Sequence, residues 1–316
     1  MPDPAKNLRE DFLREIRRRF RRLRDQVRRW AGYEDDIFGL GQDAQAATSA
    51  ADLPDDAPQV FRFQTDRAKI AAFLAWWQDR LDADLLEPMP QRRVRNGEHW
   101  TGALLRAAYA QAWQQARSRL RTEGVSVGSL PGGEDGDVIE GLLDMPAPRR
   151  ALQELYTRTY ENLQSVGADA AEPVRDTLVE GMDQGWNPRK TADKLTEEVR
   201  TLQHTQAETL ARSETQHAYS VATLDRYERA GVGVVSHGEW LDTNDARVCT
   251  FCRRLSGAEL ALAEMRDGLV EFRGQVFRLL APSHPNCRCS IAPSVDSDPP
   301  TSPLSERVPG TVLAGG

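Results

Sequence analysis

Apolar residues at Leu8, Phe12, Leu13, Ile16, Phe20, Leu23, Val27 and Trp30 recur at three- and four-residue intervals. That period predicts one amphipathic helix over residues 8–30. The same period returns over 66–86 and over 100–121, where Leu104, Leu105, Ala108, Ala112, Trp113, Ala116 and Leu120 share one side. Further helices are predicted over 148–165, 170–184 and 204–230. Gly185 stops one of them, Asn187 and Pro188 supply an N-cap and a first helical position for another, and Gly231 closes the last. Residues 34–58 are acidic and Ala-rich and read as a linker; residues 124–137 (GVSVGSLPGGEDGD) break the helical period with Gly, Pro and acids. Beyond Gly231 the texture changes. Residues 231–242 have β character, and 269–280 predict two short strands turning at Arg273 and Gly274. From Ser294 the chain is rich in Pro and Ser, which predicts a tail ordered only by a partner, if at all.

The expected architecture is mainly α: a helical body and a small α+β module near the C-terminus, stapled by a Cys/His cluster. The divisions are a basic helix (1–33), an acidic linker (34–58), a helical region (59–123), a second linker (124–147), a larger C-terminal domain (148–293) and the tail (294–316). Within that domain, helices span 148–230 and the Cys/His module spans 231–293. A module of about 60 residues buries only a thin core and gains from a covalent or metal staple.

Charge sharpens the picture. The chain of 316 residues carries a net charge of −7, yet residues 9–29 hold ten Arg against four acids. A basic amphipathic helix on an acidic body suggests a partner, and Arg17, Arg18, Arg21, Arg22 and Arg28 are its candidate contacts to a protein or to DNA. The alternative is a helix packed on its own protein with Arg paired locally. Only four basic residues are Lys, as a GC-rich coding bias produces, so the Arg excess is no evidence of function by itself. No apolar run approaches the roughly 20 residues that cross a bilayer, so no membrane partner is expected. The start of the chain lacks the apolar core of a signal peptide, which predicts synthesis and first residence in the cytoplasm.

All four cysteines fall in two tight clusters: Cys249 and Cys252 as VCTFC, and Cys287 and Cys289 within HPNCRC, which begins with His284. A Cys-x2-Cys turn lets two thiolates reach one tetrahedral ion, and His284, Cys287 and Cys289 compete for the remaining places. The expected cofactor is a structural zinc ion held by four of these five residues, with Cys249 and Cys252 the firmest. Disulfides are the alternative, and four cysteines allow three pairings. A Cys–His nucleophile would leave the other thiols without a task, and no catalytic residue is assigned.

Four stretches, in order, resemble the head-morphogenesis family of tailed phages, the minor head proteins similar to the F protein of phage Mu. They are EGMDQGWNPRKTADKL (180–195), LARSETQHAYSVATLDRYERAG (210–231), EWLDTNDARVCTFCRRLSG (239–257) and HPNCRC. Ser213 stands where the family usually has Thr. The resemblance covers about residues 150–292; the Arg-rich helix and DIFGL (36–40) match more loosely. Arg212, Glu214, Trp240 and Asp245 fall on its motifs. It implies a minor capsid protein of the virion, present as a low-copy oligomer at the portal vertex and made in the host cytoplasm. Portal protein, major capsid protein and packaged DNA would be its partners, in head assembly and in DNA packaging or ejection.

Two readings stand beside each other: a structural head protein, and a zinc-containing nucleic-acid-binding protein acting outside a capsid. An enzyme is not expected. Glu214 lies on the apolar stripe of its helix, so it is expected to pair with an Arg elsewhere in the chain. Asp242 and Asp245 read as turn formers, and His204, His217 and His237 as ordinary residues.

Overall fold

A computed structural model describes residues 5–33, 38, 40, 65–132, 137–295 and 297–313. In chain order the helices are α1 (Lys6–Arg28), α2 (Asp66–Leu81), α3 (Gln91–Arg95), α4 (Trp100–Thr122), α5 (Val138–Leu143), α6 (Pro146–Asp169), α7 (Ala171–Asp183), α8 (Pro188–Leu202) and α9 (Glu208–Ala230). There follow β1 (Val235–Leu241), α10 (Thr250–Leu255), β2 (Glu259–Ala261), α11 (Leu262–Asp267), β3 (Leu269–Phe272), β4 (Gln275–Arg278), β5 (Ser290–Val295), α12 (Leu304–Arg307) and β6 (Thr311–Leu313). The protein is thus mainly α with a small β-containing region near the C-terminus, as the periodicity predicts.

Local chemistry explains the boundaries. Asn187 caps α8 by accepting from the Lys190 amide at 2.9 Å, with Pro188 at the first helical position. The helix expected to begin near residue 204 does not begin afresh. α8 and α9 are one run of helix, interrupted by a single π-turn at Gln203–Ala207, because no Gly, Pro or cap separates them.

The chain divides into two compact units, one of residues 13–90 and 160–209, the other of 1–12, 91–159 and 210–316. In the first, the predicted stripe of α1 is buried from Leu13 through Ile16, Phe20, Leu23 and Val27. Phe38 meets Phe73 edge-on at 5.1 Å, and both lie against Trp76. Phe38 and Leu40 are buried, so these two apolar residues are part of the core although their segment reads as linker; the rest of 34–58 falls outside the described residues. Arg17 forks onto the buried Glu208 at 2.9 and 3.0 Å, and Arg18 and Arg19 share Glu15.

In the second unit, α4 buries Leu105, Tyr109, Ala112, Trp113, Ala116 and Leu120. Two antiparallel three-stranded sheets form, ordered β2–β1–β5 and β4–β3–β6. The β3–β4 hairpin turns at Arg273 and Gly274, both at positive φ (55° and 76°), as a tight two-residue hairpin loop requires. The tail departs from expectation. Arg307 forks onto Glu264 and reaches the Glu259 carbonyl, and residues 311–313 pair with β3 as its second neighbour. Ser and Pro content predicted no strand here, but an open edge of β3 supplies the partner that the tail lacks locally.

Candidate metal centre

The two Cys clusters meet. Cys249 is the N-cap of α10, and its sulfur accepts the amide of Cys252 at 3.4 Å, so both thiols face one point at the start of that helix. His284, Cys287 and Cys289 arrive on the loop between β4 and β5. Here the Cys287 amide donates to the His284 carbonyl at 3.1 Å, and Asn286 takes a positive φ of 62° to close the turn. Two groups of donors result, Cys249–Cys252–His284 and Cys252–Cys287–Cys289, each with its ligand atoms within 4.8 Å of one another. Cys252 belongs to both.

The distances fit a metal ion. Cys252 Sγ lies 3.9 Å from Cys287 Sγ and 3.4 Å from His284 Nε2. With metal–sulfur bonds of about 2.3 Å and a metal–nitrogen bond of about 2.0 Å, a tetrahedron has edges of about 3.8 Å and about 3.5 Å. A cavity of about 10 Å³, lined by all five donors, lies between them. His284 is oriented for ligation: its Nδ1 donates to the Pro285 carbonyl at 2.8 Å, which leaves Nε2 to face the sulfurs.

Protonation follows from the crowding. Hydrogen bonds from Cys252 and Cys289, and then from His284, push the Cys287 thiol far down, and the same contacts push Cys252 up. Cys289 is pushed up as well, by Cys287 and by burial against the pull of Cys252. Sulfurs this close cannot all carry charge without a cation among them. Beside the Cys287 sulfur, His284 rises to about 9. These residues can hold a metal ion, which would replace the shared protons.

The surrounding residues brace the loops. Asp242 and Asp245 form the expected turns, accepting the amides of Asn244 at 2.8 Å and Arg247 at 2.9 Å. Arg288 forks onto Asp245 at 2.6 and 2.7 Å, which holds that carboxyl far below its ordinary range. Arg288 thereby ties the two Cys loops together. Gln216 of α9 donates to the Cys289 carbonyl at 3.0 Å, and Arg119 of α4 to the Ile291 carbonyl at 3.0 Å, so the module is bonded to the helices beneath it. Trp240 is fully buried in β1.

Glu214 has the Arg its burial demands. Arg158 lies 3.4 Å away and Thr159 donates to it at 2.9 Å. Arg212, two residues earlier, points elsewhere, with Nη1 at 3.5 Å from Asn286 Oδ1. His217 is deeply buried, and burial with Arg158 and Arg278 nearby drops it to about 3. Among the candidate contacts on α1, Arg17 and Arg18 are engaged with Glu208 and Glu15, while Arg21, Arg22 and Arg28 are exposed. Sequence reasoning did not find Arg158, nor the Tyr109–Asp225–Arg266 network in which Tyr109 and Arg266 both donate to Asp225. No local pattern signals partners separated by tens of residues.

Compared with known proteins, residues 172–292 match a family model described as Phage Mu protein F like protein. No curated protein and no solved structure matches the chain.

Proposed function

We propose, from the premise that residues 172–292 are a Phage Mu protein F like domain, that this phage head morphogenesis protein is a minor capsid component. In this reading a few copies dock at the portal vertex, touch the portal and major capsid proteins, and act in head assembly and in DNA packaging or ejection. The role is architectural rather than catalytic. The ion is zinc, held by Cys249, Cys252, His284 and Cys287, with Cys289 as the competing thiolate. It would fasten the two Cys loops and so fix the face that α9 and the module present to a neighbour.

One observation carries the reading: the matched segment contains both the donor cluster and the α9 helix to which that cluster is bonded. Clustered thiols at tetrahedral spacing suit a staple, whereas a nucleophile needs one activated thiol with room for a substrate. The test is co-sedimentation of the purified chain with assembled portal rings, and quantitative mass spectrometry of mature particles. A few copies per particle and saturable ring binding are expected. Absence from both particles and assembly intermediates, with no ring binding, would overturn the proposal.

A further inference from the structure

His237 lies in β1 with its side chain 1% exposed, and its Nε2 is buried without a hydrogen-bond partner among the described residues. A buried polar atom left unpaired is uncommon and calls for a ligand or a partner. The other ring nitrogen, Nδ1, stands 2.9 Å from Ser236 Oγ. Donation from Nδ1 to that oxygen leaves Nε2 as a lone pair, the form in which an imidazole binds a metal ion. The sheet register brings two carboxylates to the same place. Glu239 and Glu259 are partners across β1 and β2, so both side chains leave one face of the sheet. His237 is two residues from Glu239 along β1 and shares that face, opposite the buried Trp240. Like charges directly opposite each other destabilise a strand pair. Arg307 does not relieve them: it forks onto Glu264 and meets Glu259 at its backbone carbonyl.

We propose that His237, Glu259 and Glu239 form a second metal site, for a divalent first-row transition ion held by one imidazole nitrogen and two carboxylates. The gap from His237 Nε2 to Glu259 Oε2 is 3.9 Å, too long for a hydrogen bond. A tetrahedral ion sets a nitrogen and an oxygen ligand about 3.4 Å apart, so the Glu259 carboxylate needs to move by only about 0.5 Å. The Glu259 side chain is 55% exposed and free to make that shift, and it gives the ion its way in. Across a strand pair the two Cβ atoms stand about 5 Å apart, so two Glu side chains reach one ion. A single ion would give Nε2 its partner, remove the repulsion between the carboxylates and fasten β2 to β1. With no sulfur among its ligands, the site differs in kind from the cysteine centre and suits ions that prefer nitrogen and oxygen. It depends on neither that centre nor portal docking.

The experiment titrates manganese(II) chloride into the full chain as purified, with any metal at the cysteines in place, and follows the free ion by its paramagnetic resonance. Mn(II) stands lowest in the affinity order of these ions, so it does not displace zinc from thiolates. One saturable Mn(II) site is expected. Glu259→Gln, at an exposed position, should fold as the parent does and bind Mn(II) at least about tenfold more weakly, with the metal at the cysteines unchanged. Pulsed resonance should show an imidazole nitrogen coupled to the bound ion, and His237→Gln should abolish that coupling. If His237→Gln does not fold, the parent's nitrogen signal and the Glu259→Gln titration decide the matter. Three results would each overturn the proposal: no saturable site, a bound ion without nitrogen coupling, or Glu259→Gln binding as tightly as the parent. The last is what an ion held elsewhere on the acidic surface would give.

Discussion

Replacing Cys252 by Ser removes the donor common to both groups in the candidate centre. Its cost can be worked from topology. An ion bridging Cys252 and Cys287 closes a loop of about 36 residues. A cross-link of that span restricts the unfolded chain by about 4 kcal/mol. A module of about 60 residues at the usual stability per residue has only about 3–9 kcal/mol in total. Loss of the staple is therefore comparable with the whole stability of the region. The helices beneath bury their own stripes and should survive. The expected result for Cys252→Ser is loss of bound metal, faster amide exchange in β1 and β5, new protease cleavage between residues 235 and 295, and a largely retained helical signal. Metal content, exchange mass spectrometry and far-ultraviolet circular dichroism on one preparation check all four. A variant that still binds one ion per chain and melts where the parent melts would refute the reasoning.

Two other outcomes follow from single side chains. His217 is buried and titrates near 3 instead of its ordinary 6.5, so the folded chain declines a proton that the unfolded chain takes up. Stability from this residue is complete above about pH 6.5 and is lost as pH falls toward 3, by about 2 kcal/mol at pH 5. His217→Gln should flatten that part of the stability–pH curve measured by denaturant titration, and an equal slope in both proteins would refute the assignment. Gly310 sits at φ 109°, and a Cβ there would collide with the Glu271 carbonyl oxygen. Gly310→Ala should detach β6 at a cost of about 1–3 kcal/mol, read as faster exchange at Thr311 to Leu313; unchanged exchange would contradict the paired tail.

What the sequence made legible was local. A stripe at helical spacing on α1, an Asn-Pro start for α8 and an Arg-Gly hairpin turn each act within a few residues, so the residues themselves state the outcome. Two cysteine clusters are legible for a related reason: ligation needs particular donors at particular spacings, and few other tasks use them. The misreadings have the same root. A π-turn joins α8 to α9 where periodicity suggested a fresh helix, because one extra residue per turn leaves little trace in the pattern. The tail becomes a strand only because β3 offers an open edge, and Phe38 is core only because Phe73 and Trp76 await it.

Charge pairing at a distance is the harder case. Glu214 on an apolar stripe required a cation, and that much was legible; that Arg158 answers it, 56 positions away, was not. The same holds for the arginines beside the candidate metal centre. Arg9, Arg212, Arg247 and Arg288 look in sequence like four samples of an Arg-rich composition, and only the fold gathers them around one cavity. Asp245 decides which of them are fixed. Its two bonds hold Arg288 in place, and Arg288 carries that order to the loop bearing Cys287 and Cys289. A carboxylate read as a turn former therefore braces the candidate metal centre. Asp245→Asn would leave the turn bond to Arg247 available while weakening the fork, so the loop bearing Cys287 and Cys289 would loosen while the turn before Cys249 stays closed.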